Sequence, residues 1–245
     1  MKNNSKYLAI ILAAGHGSRL DKNIPKPLYI FNNRPIIDHL IDKLNKIPNI
    51  DILTVVGYKK NLVTKHIKNR SKYIEQKVIN GTAGAVKDCL DIISLYNNTF
   101  VFVGDSPLVK IQDIENMIKS HTRQTADCTF LYSKFPIKLP YARLYFDRLG
   151  KVEKIVEHSD ISESSKQSQY LFTSQYLFSS KSLVKQLPRI TSNINTKEYN
   201  LTEIINLYIQ DNKILNPIFV KDFWTLMGIN TSEDIETINN YIHEK

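Results

Sequence analysis

Cysteine is nearly absent. Cys89 and Cys128 are the only two in 245 residues, far apart and outside any CxxC or Cys/His spacing, which excludes a disulfide framework and a thiolate metal site and leaves two free, buried thiols suited to a reducing compartment. Glycine (8) and proline (9) are too few for a fibrous or low-complexity chain. No apolar run approaches the roughly 20 residues of a membrane span. Lys2 and Lys6 ahead of "YLAIILAAG" imitate a signal peptide, but the apolar run is only about eight residues and continues into a motif, so a cytoplasmic protein is expected. Acidic residues are outnumbered, 24 against 33 basic, for a net charge of +9. The basic residues are dispersed, as in Lys59-Lys60, Lys65, Lys68, Arg70 and Lys72, and no RNA-binding aromatic motif accompanies them. That pattern reads as a solvated surface whose field steers anionic small molecules, with neither nucleic acid nor membrane as partner. The six histidines are scattered and form no Ser/His/Asp or Cys/His set.

What is present is an α/β alternation. Tyr7 to Leu12 is a continuous apolar run of the kind that forms a buried parallel strand. Arg34 to Ile47 places Ile36, Ile37, Leu40, Ile41 and Leu44 on one helical face, with Pro35 in the first turn. Asp51 to Tyr58 reads as a second strand, Ala85 to Tyr96 as a helix, and Thr99 to Asp105 as a third strand ending in an acid. A helix at residues 111–122 and a strand at 127–135 follow. From Ala142 the texture becomes β-rich: a hairpin turning at Leu149-Gly150, then a strand at 170–179. A helix at 201–211, an extended segment at 214–220 and a last helix capped by Ser232 complete the chain. One domain is expected, with residues 1–110 as a nucleotide-binding α/β half and residues 111–245 as a mixed, β-rich half facing the same ligand.

The stretch "LAAGHGSRLDKNIPKPL" (residues 12–28) follows the first strand, where open α/β sheets bind ligands. Backbone N–H groups of Leu12, Ala13, Ala14, Gly15 and Gly17 can converge on phosphate oxygens with little side-chain obstruction. The spacing is neither GxxxxGK[ST] nor GxGxxG. Arg19 and Lys26 add two cations able to meet a triphosphate. Taken alone, a tight turn and surface charges explain the stretch equally well.

Joined together, "LAAGHGSRL" and "PKPL" resemble the signature of the nucleotidyltransferases that activate sugar 1-phosphates, L-A-A-G-x-G-[ST]-R-[ML] followed by P-K. Further matches occur in the family's order over nearly the whole chain. "QKVINGTAGAV" is similar to the pyrimidine-reading segment of N-acetylglucosamine-1-phosphate uridylyltransferases, which implies base contacts from Gln76, Gly81 and Thr82. "VFVGDSPL" resembles G-D-x-P-L, with Gly104 beside the nucleotide and Asp105 as a Mg²⁺ ligand; a strand-end carboxylate suits a hard cation that keeps sites for phosphate and water. "GKVEKIVEHSD" implies a sugar-binding Glu157, "KEYNLTEII" matches E-Y-Y-L-T-D-I-I, and "LMGIN" resembles the G-[VI]-N whose asparagine, here Asn230, is the second metal ligand.

The resemblance implies a Rossmann-like nucleotide-diphospho-sugar transferase fold: a mixed, mainly parallel central sheet flanked by helices, with a β-rich sugar-side subregion. It also implies Mg²⁺-dependent transfer from a nucleoside triphosphate, UTP in the uridylyl branch, to a sugar 1-phosphate resembling N-acetylglucosamine 1-phosphate. Arg19, Lys26 and Asp105 carry the chemistry in that reading. The departures cluster on the sugar side. In the N-T-G segment Thr173 persists between Phe172 and Ser174, and a G-R pair becomes Ala142-Arg143. No hexapeptide repeats occur in these residues, so nucleotidyl transfer alone is expected and not the acetyl transfer of bifunctional relatives. A cytidylyltransferase acting on phosphocholine or a related alcohol phosphate, and a non-catalytic nucleotide sensor, are the alternatives.

Overall fold

The structure, a computed structural model, describes residues 6–17, 23–137, 139–161 and 168–243. In chain order it contains β1 (Tyr7–Ala13), the two-residue strands β2 (Ile30–Phe31) and β3 (Arg34–Pro35), α1 (Ile36–Leu44), β4 (Ile50–Val56), α2 (Lys60–Ile67) and β5 (Lys72–Glu75). Next come α3 (Thr82–Lys87), α4 (Leu90–Ile93), β6 (Asn98–Val103), α5 (Ile111–Gln124), β7 (Cys128–Lys134), β8 (Arg143–Phe146) and β9 (Val152–Val156). The remainder is β10 (Tyr170–Ser179), α6 (Ser180–Gln186), α7 (Glu203–Gln210), β11 (Leu215–Phe219) and α8 (Ser232–His243).

A nine-stranded sheet runs β11-β7-β10-β6-β1-β4-β5, with β8 joined to β10 and β9 to β8. The pairings β1–β4, β1–β6, β4–β5 and β7–β11 are parallel, and β10 runs against β6, β7 and β8. The result is the expected mixed, mostly parallel sheet with helices on both faces. β1 explains why a continuous apolar run was needed: Tyr7, Ala9, Ile11 and Ala13 enter one core, while Leu8 and Ile10 enter the other. From β1 the chain adds β4 and β5 on one side and then returns to place β6 on the other. That reversal opens a crevice at the carboxyl ends of β1 and β6, the usual ligand position in such sheets.

Three local expectations change. Pro35 caps α1 from an extended conformation, and Arg34 and Pro35 belong to β3, so the helix starts two residues later than expected. The helix expected at Ala85 to Tyr96 is two short pieces, α3 and α4, separated around Cys89. The cap of α8 is Thr231, not Ser232: the Asp234 amide donates to Thr231 Oγ1 (3.2 Å), and the Asp234 carboxylate accepts from the amides of Asn230 (2.7 Å) and Thr231 (2.9 Å). Both cysteines are free and buried, as expected. Among the described residues no helix is long and apolar enough to cross a membrane.

One histidine ties stability to pH. Asn216 donates to Thr129 Oγ1 (3.0 Å), whose own proton points to His121 Nδ1 (2.9 Å), so the buried ring is held neutral with Nδ1 as acceptor. Burial lowers its pKa from the ordinary 6.5 to about 4. Between those values the unfolded chain binds a proton that the folded chain refuses. This contribution is therefore complete above pH 6.5 and is lost as pH falls toward 4, by about 3 kcal/mol in total. Urea melts over that range should show the decline, and His121→Gln should flatten it.

Candidate active site

Residues 12–15 leave β1 pressed against its neighbours. Leu12 O accepts from the Gly104 amide (2.9 Å), and Ala14 O accepts from the Tyr58 amide (3.0 Å). A Cβ at Gly104 would lie 2.8 Å from Leu12 O, so glycine is what lets the ends of β1 and β6 approach. The expected nucleotide residues, 12–15, Gly17, Gln76, Gly81, Thr82 and Gly104, all line one cavity of about 320 Å³. Arg19 lies outside the described residues.

Gly81 holds the base side together. Its backbone (φ 103°, ψ 176°) lies in a region essentially reserved for glycine. Tyr199 is strapped across it, donating from its amide to Asn80 O (2.7 Å) and accepting from the Ala83 amide (2.8 Å). Thr82 Oγ1 accepts from the Leu201 amide (2.9 Å), so the "EYNLT" segment and the "NGT" loop form one wall. The buried Gln76 donates from Nε2 to Asn80 Oδ1 and Gly81 O, both at 3.2 Å, which leaves its Oε1 as an acceptor for a ligand.

At the other end of the cavity, Lys26 Nζ sits 2.5 Å from Asp105 Oδ2 and 2.8 Å from Asn230 Oδ1. Three distant segments meet there: the turn after the glycine loop, the end of β6 and the segment before α8. Each partner is oriented by the backbone. Ile229 donates to Asp105 O (2.9 Å), and Asn230 Nδ2 faces Gly228 O (3.5 Å), which turns its oxygen toward the lysine. A Cβ on Gly228 would reach within 2.9 Å of Asp105 Oδ1, so that glycine lets the closing segment lie against the carboxylate. The cap of α8 fixes the Asn230 amide through Asp234. Asp105 and Asn230 thus present two hard oxygen donors to a single cation, a donor chemistry that fits a small divalent ion completed by phosphate and water.

A second cavity, of about 260 Å³, adjoins the first, and Thr82, Val103, Asp105 and Asn230 line both. The remaining expected residues, Ala142, Glu157 and Thr173, line this second cavity. Burial pushes the Glu157 carboxyl pKa up, against a hydrogen bond from Thr202, and Asp160 and Glu203 add to the rise. Thr173 spends its hydroxyl proton on Leu131 O (3.1 Å), so toward the cavity it can only accept. Phe172, in the asparagine place of N-T-G, is 2% exposed and packs edge-on against Phe130 and Tyr176, each at 5.1 Å. Ser174, in the glycine place, keeps φ 60° where the β10–β7 register shifts. Phe172→Asn should therefore bury an unsatisfied amide and lower stability by about 3 kcal/mol, measurable by urea unfolding.

Sequence reasoning missed Tyr141, Ser106 and Gln175. The Tyr141 hydroxyl accepts from the Gly228 amide (2.8 Å), and burial, with the nearby charges of Asp105 and Asp234, raises its pKa and keeps it protonated. Gln175 donates to Ser106 Oγ (3.1 Å), behind Asp105. Ser106 holds the variable place of the G-D-x-P-L match beside Asp105, whereas no motif marks Tyr141 or Gln175, which tertiary packing brings to the site.

A family model described as nucleotidyl transferase matches residues 8–244. The chain belongs to the nucleotidyl transferase family. It is 30% identical over 238 residues to the bifunctional protein GlmU of Enterococcus faecalis, covering 97% of this chain and 52% of that protein. The GlmU of Acholeplasma laidlawii is 29% identical, with 98% and 52% covered. The chain thus spans about half the length of the curated relatives it matches. Among solved structures, a protein provisionally assigned as a glucose-1-phosphate thymidylyltransferase from Bacillus anthracis, in complex with a sucrose, superposes with a TM-score of 0.78 at 21% identity, covering 98% of this chain and 96% of that one. A CMP:2-keto-3-deoxy-manno-octonic acid synthetase complexed with CTP gives 0.70 at 13% identity, with 98% and 99% covered. These two share the fold. As a member of that family, the chain is a nucleotidyltransferase.

Proposed function

We propose that this nucleotidyltransferase joins UTP to a sugar 1-phosphate of the N-acetylglucosamine 1-phosphate type and releases pyrophosphate. The observation that carries the reading is that Asp105 and Asn230 stand at the seam of two cavities, one with the glycine loop and Gln76, the other with Glu157. A triphosphate in the first and an acceptor phosphate in the second would meet at that seam. The acceptor phosphate, with a second pKa of about 6, is largely dianionic at neutral pH and attacks the α-phosphorus in line without a general base. The protein's task is to position two polyanions and offset their charge.

Gln76 Oε1 suits a base that presents a donor, the N3–H of uracil. The backbone of residues 12–17 cradles the phosphates, Lys26 stabilises charge on the reacting phosphates and leaving pyrophosphate, and Arg19 is assigned to the same end. Glu157 accepts from acceptor hydroxyls. Mg²⁺, held by Asp105 and Asn230, would supply charge neutralisation at the reacting phosphates. The apolar side chains of Phe172 and Ala142 in the second cavity favour a second reading, cytidylyl transfer to an alcohol phosphate such as phosphocholine, because phenylalanine stands there in place of the family's sugar-holding asparagine. A panel crossing UTP, CTP, ATP, GTP and dTTP with several sugar and alcohol phosphates, read as pyrophosphate release, tests both. UTP with an N-acetylated sugar 1-phosphate should give the fastest release; a clear preference for CTP with an alcohol phosphate would replace the first reading by the second.

A further inference from the structure

We propose that Lys26 serves as an internal counter-ion that closes the Asp105–Asn230 site to divalent cations until a nucleoside triphosphate draws the ammonium away. The inference rests on the nucleotidyl-transfer reading above and adds an order of events to it. Nζ occupies the point on which Asp105 Oδ2 and Asn230 Oδ1 converge, at 2.5 and 2.8 Å. The side chains of Lys26 and Asp105 are only 18% and 20% exposed, so solvent screens the pair incompletely. Among the described residues no group of three or more His, Cys, Asp or Glu could hold a metal, and those that converge on Lys26 Nζ offer one carboxylate and one carboxamide. Such a pair binds a reluctantly dehydrating ion weakly, and a tethered ammonium competes for it at high effective concentration.

The release path follows from where the lysine stem runs. Gly17 has φ 59°, and a Cβ there would lie 2.7 Å from Lys26 Cβ, so the stem passes directly against the phosphate loop. A triphosphate on that loop would bring its charges within the swing of a flexible four-carbon chain. The ammonium then moves to phosphate oxygens and uncovers Asp105 and Asn230. Charge balance favours the same order: the free pair is neutral, a divalent ion alone would make the site strongly positive, and the polyanion offsets both cations. The metal accordingly enters with the nucleotide or after it, and Lys26 holds the segment before α8 in place beforehand.

The test is Mn²⁺ binding to the nucleotide-free protein, followed by electron paramagnetic resonance, with folding verified by circular dichroism. Lys26→Met should bind Mn²⁺ at least about tenfold more tightly than wild type, Lys26→Arg should exclude it as wild type does, and Lys26→Met with Asp105→Asn should lose the gain. Lys26→Gln provides a second neutral variant if the methionine form folds poorly. Equal Mn²⁺ affinity in wild type and the folded neutral variants would overturn the proposal. Because no nucleotide or acceptor is present, this result is independent of the turnover panel: absence of turnover would remove the functional reading, whereas equal Mn²⁺ binding would remove only the role given to Lys26.

Discussion

Asp105→Asn should lower pyrophosphate release by about three orders of magnitude while leaving the fold in place. The substitution keeps the shape of the side chain and an oxygen for Lys26, but removes the negative charge that the proposed divalent cation would need at the seam between the cavities. The carboxamide oxygen can still accept from the Lys26 ammonium, so the loss of the charge should change stability by only about 1–2 kcal/mol. Turnover and thermal melting on the same preparation separate the two effects. Trp224, the only tryptophan in the chain, lies four residues before Gly228 and stacks on Tyr241 of α8 at 5.2 Å. Its fluorescence should report unchanged packing of the closing segment. A melting point far below wild type would show that Asp105 is chiefly structural.

Gly81→Ala should have the second largest effect, acting through the backbone. The residue sits at φ 103°, and an added Cβ would meet Tyr199 O at 2.6 Å and Tyr199 N at 2.8 Å. Neither contact can be relieved by a rotamer change, because both atoms belong to the strap that pairs Tyr199 with Asn80 and Ala83. Stability should fall by about 3 kcal/mol. Nucleotide affinity should drop as well, since Gly81 O is one of the two acceptors that orient Gln76. Urea unfolding and nucleotide titration of the variant measure both. A variant as stable as wild type, with unchanged nucleotide binding, would remove Gly81 from the base wall.

The parallel strands and the glycine loop were legible in the sequence because their cause is local. A strand buried on both faces must be apolar at every position, as in residues 7–12, and a turn that approaches backbone closely must lack bulk, as at Gly104. The resemblance added Asp105 and Asn230, 125 positions apart, and the fold does bring their oxygens to one lysine nitrogen. What stayed hidden is non-local or weakly patterned. β5 is a four-residue edge strand with an exposed Tyr73, too short for alternation to stand out. α6 is missed in the polar "SSKSLVKQ", where tertiary packing of Leu183 overrides composition. The cap of α8 is one residue earlier than expected because Asp234 closes a reciprocal pair with Thr231, a choice that both Thr231 and Ser232 permit in sequence. Thr173 and Phe172 matched or departed from a motif, yet only the structure shows that the first spends its proton on the sheet and the second is a core side chain.

The central claim is that the seam at Asp105 and Asn230 joins a nucleoside triphosphate to an acceptor phosphate. Pyrophosphate release by the purified protein with Mg²⁺, across the crossed panel of nucleotides and acceptor phosphates, tests it most directly. The account predicts release that requires a nucleotide and an acceptor together, greatest with UTP and a sugar 1-phosphate, and abolished by Asp105→Asn. Nucleotide binding without pyrophosphate release from any pair would contradict it and leave the protein a nucleotide sensor.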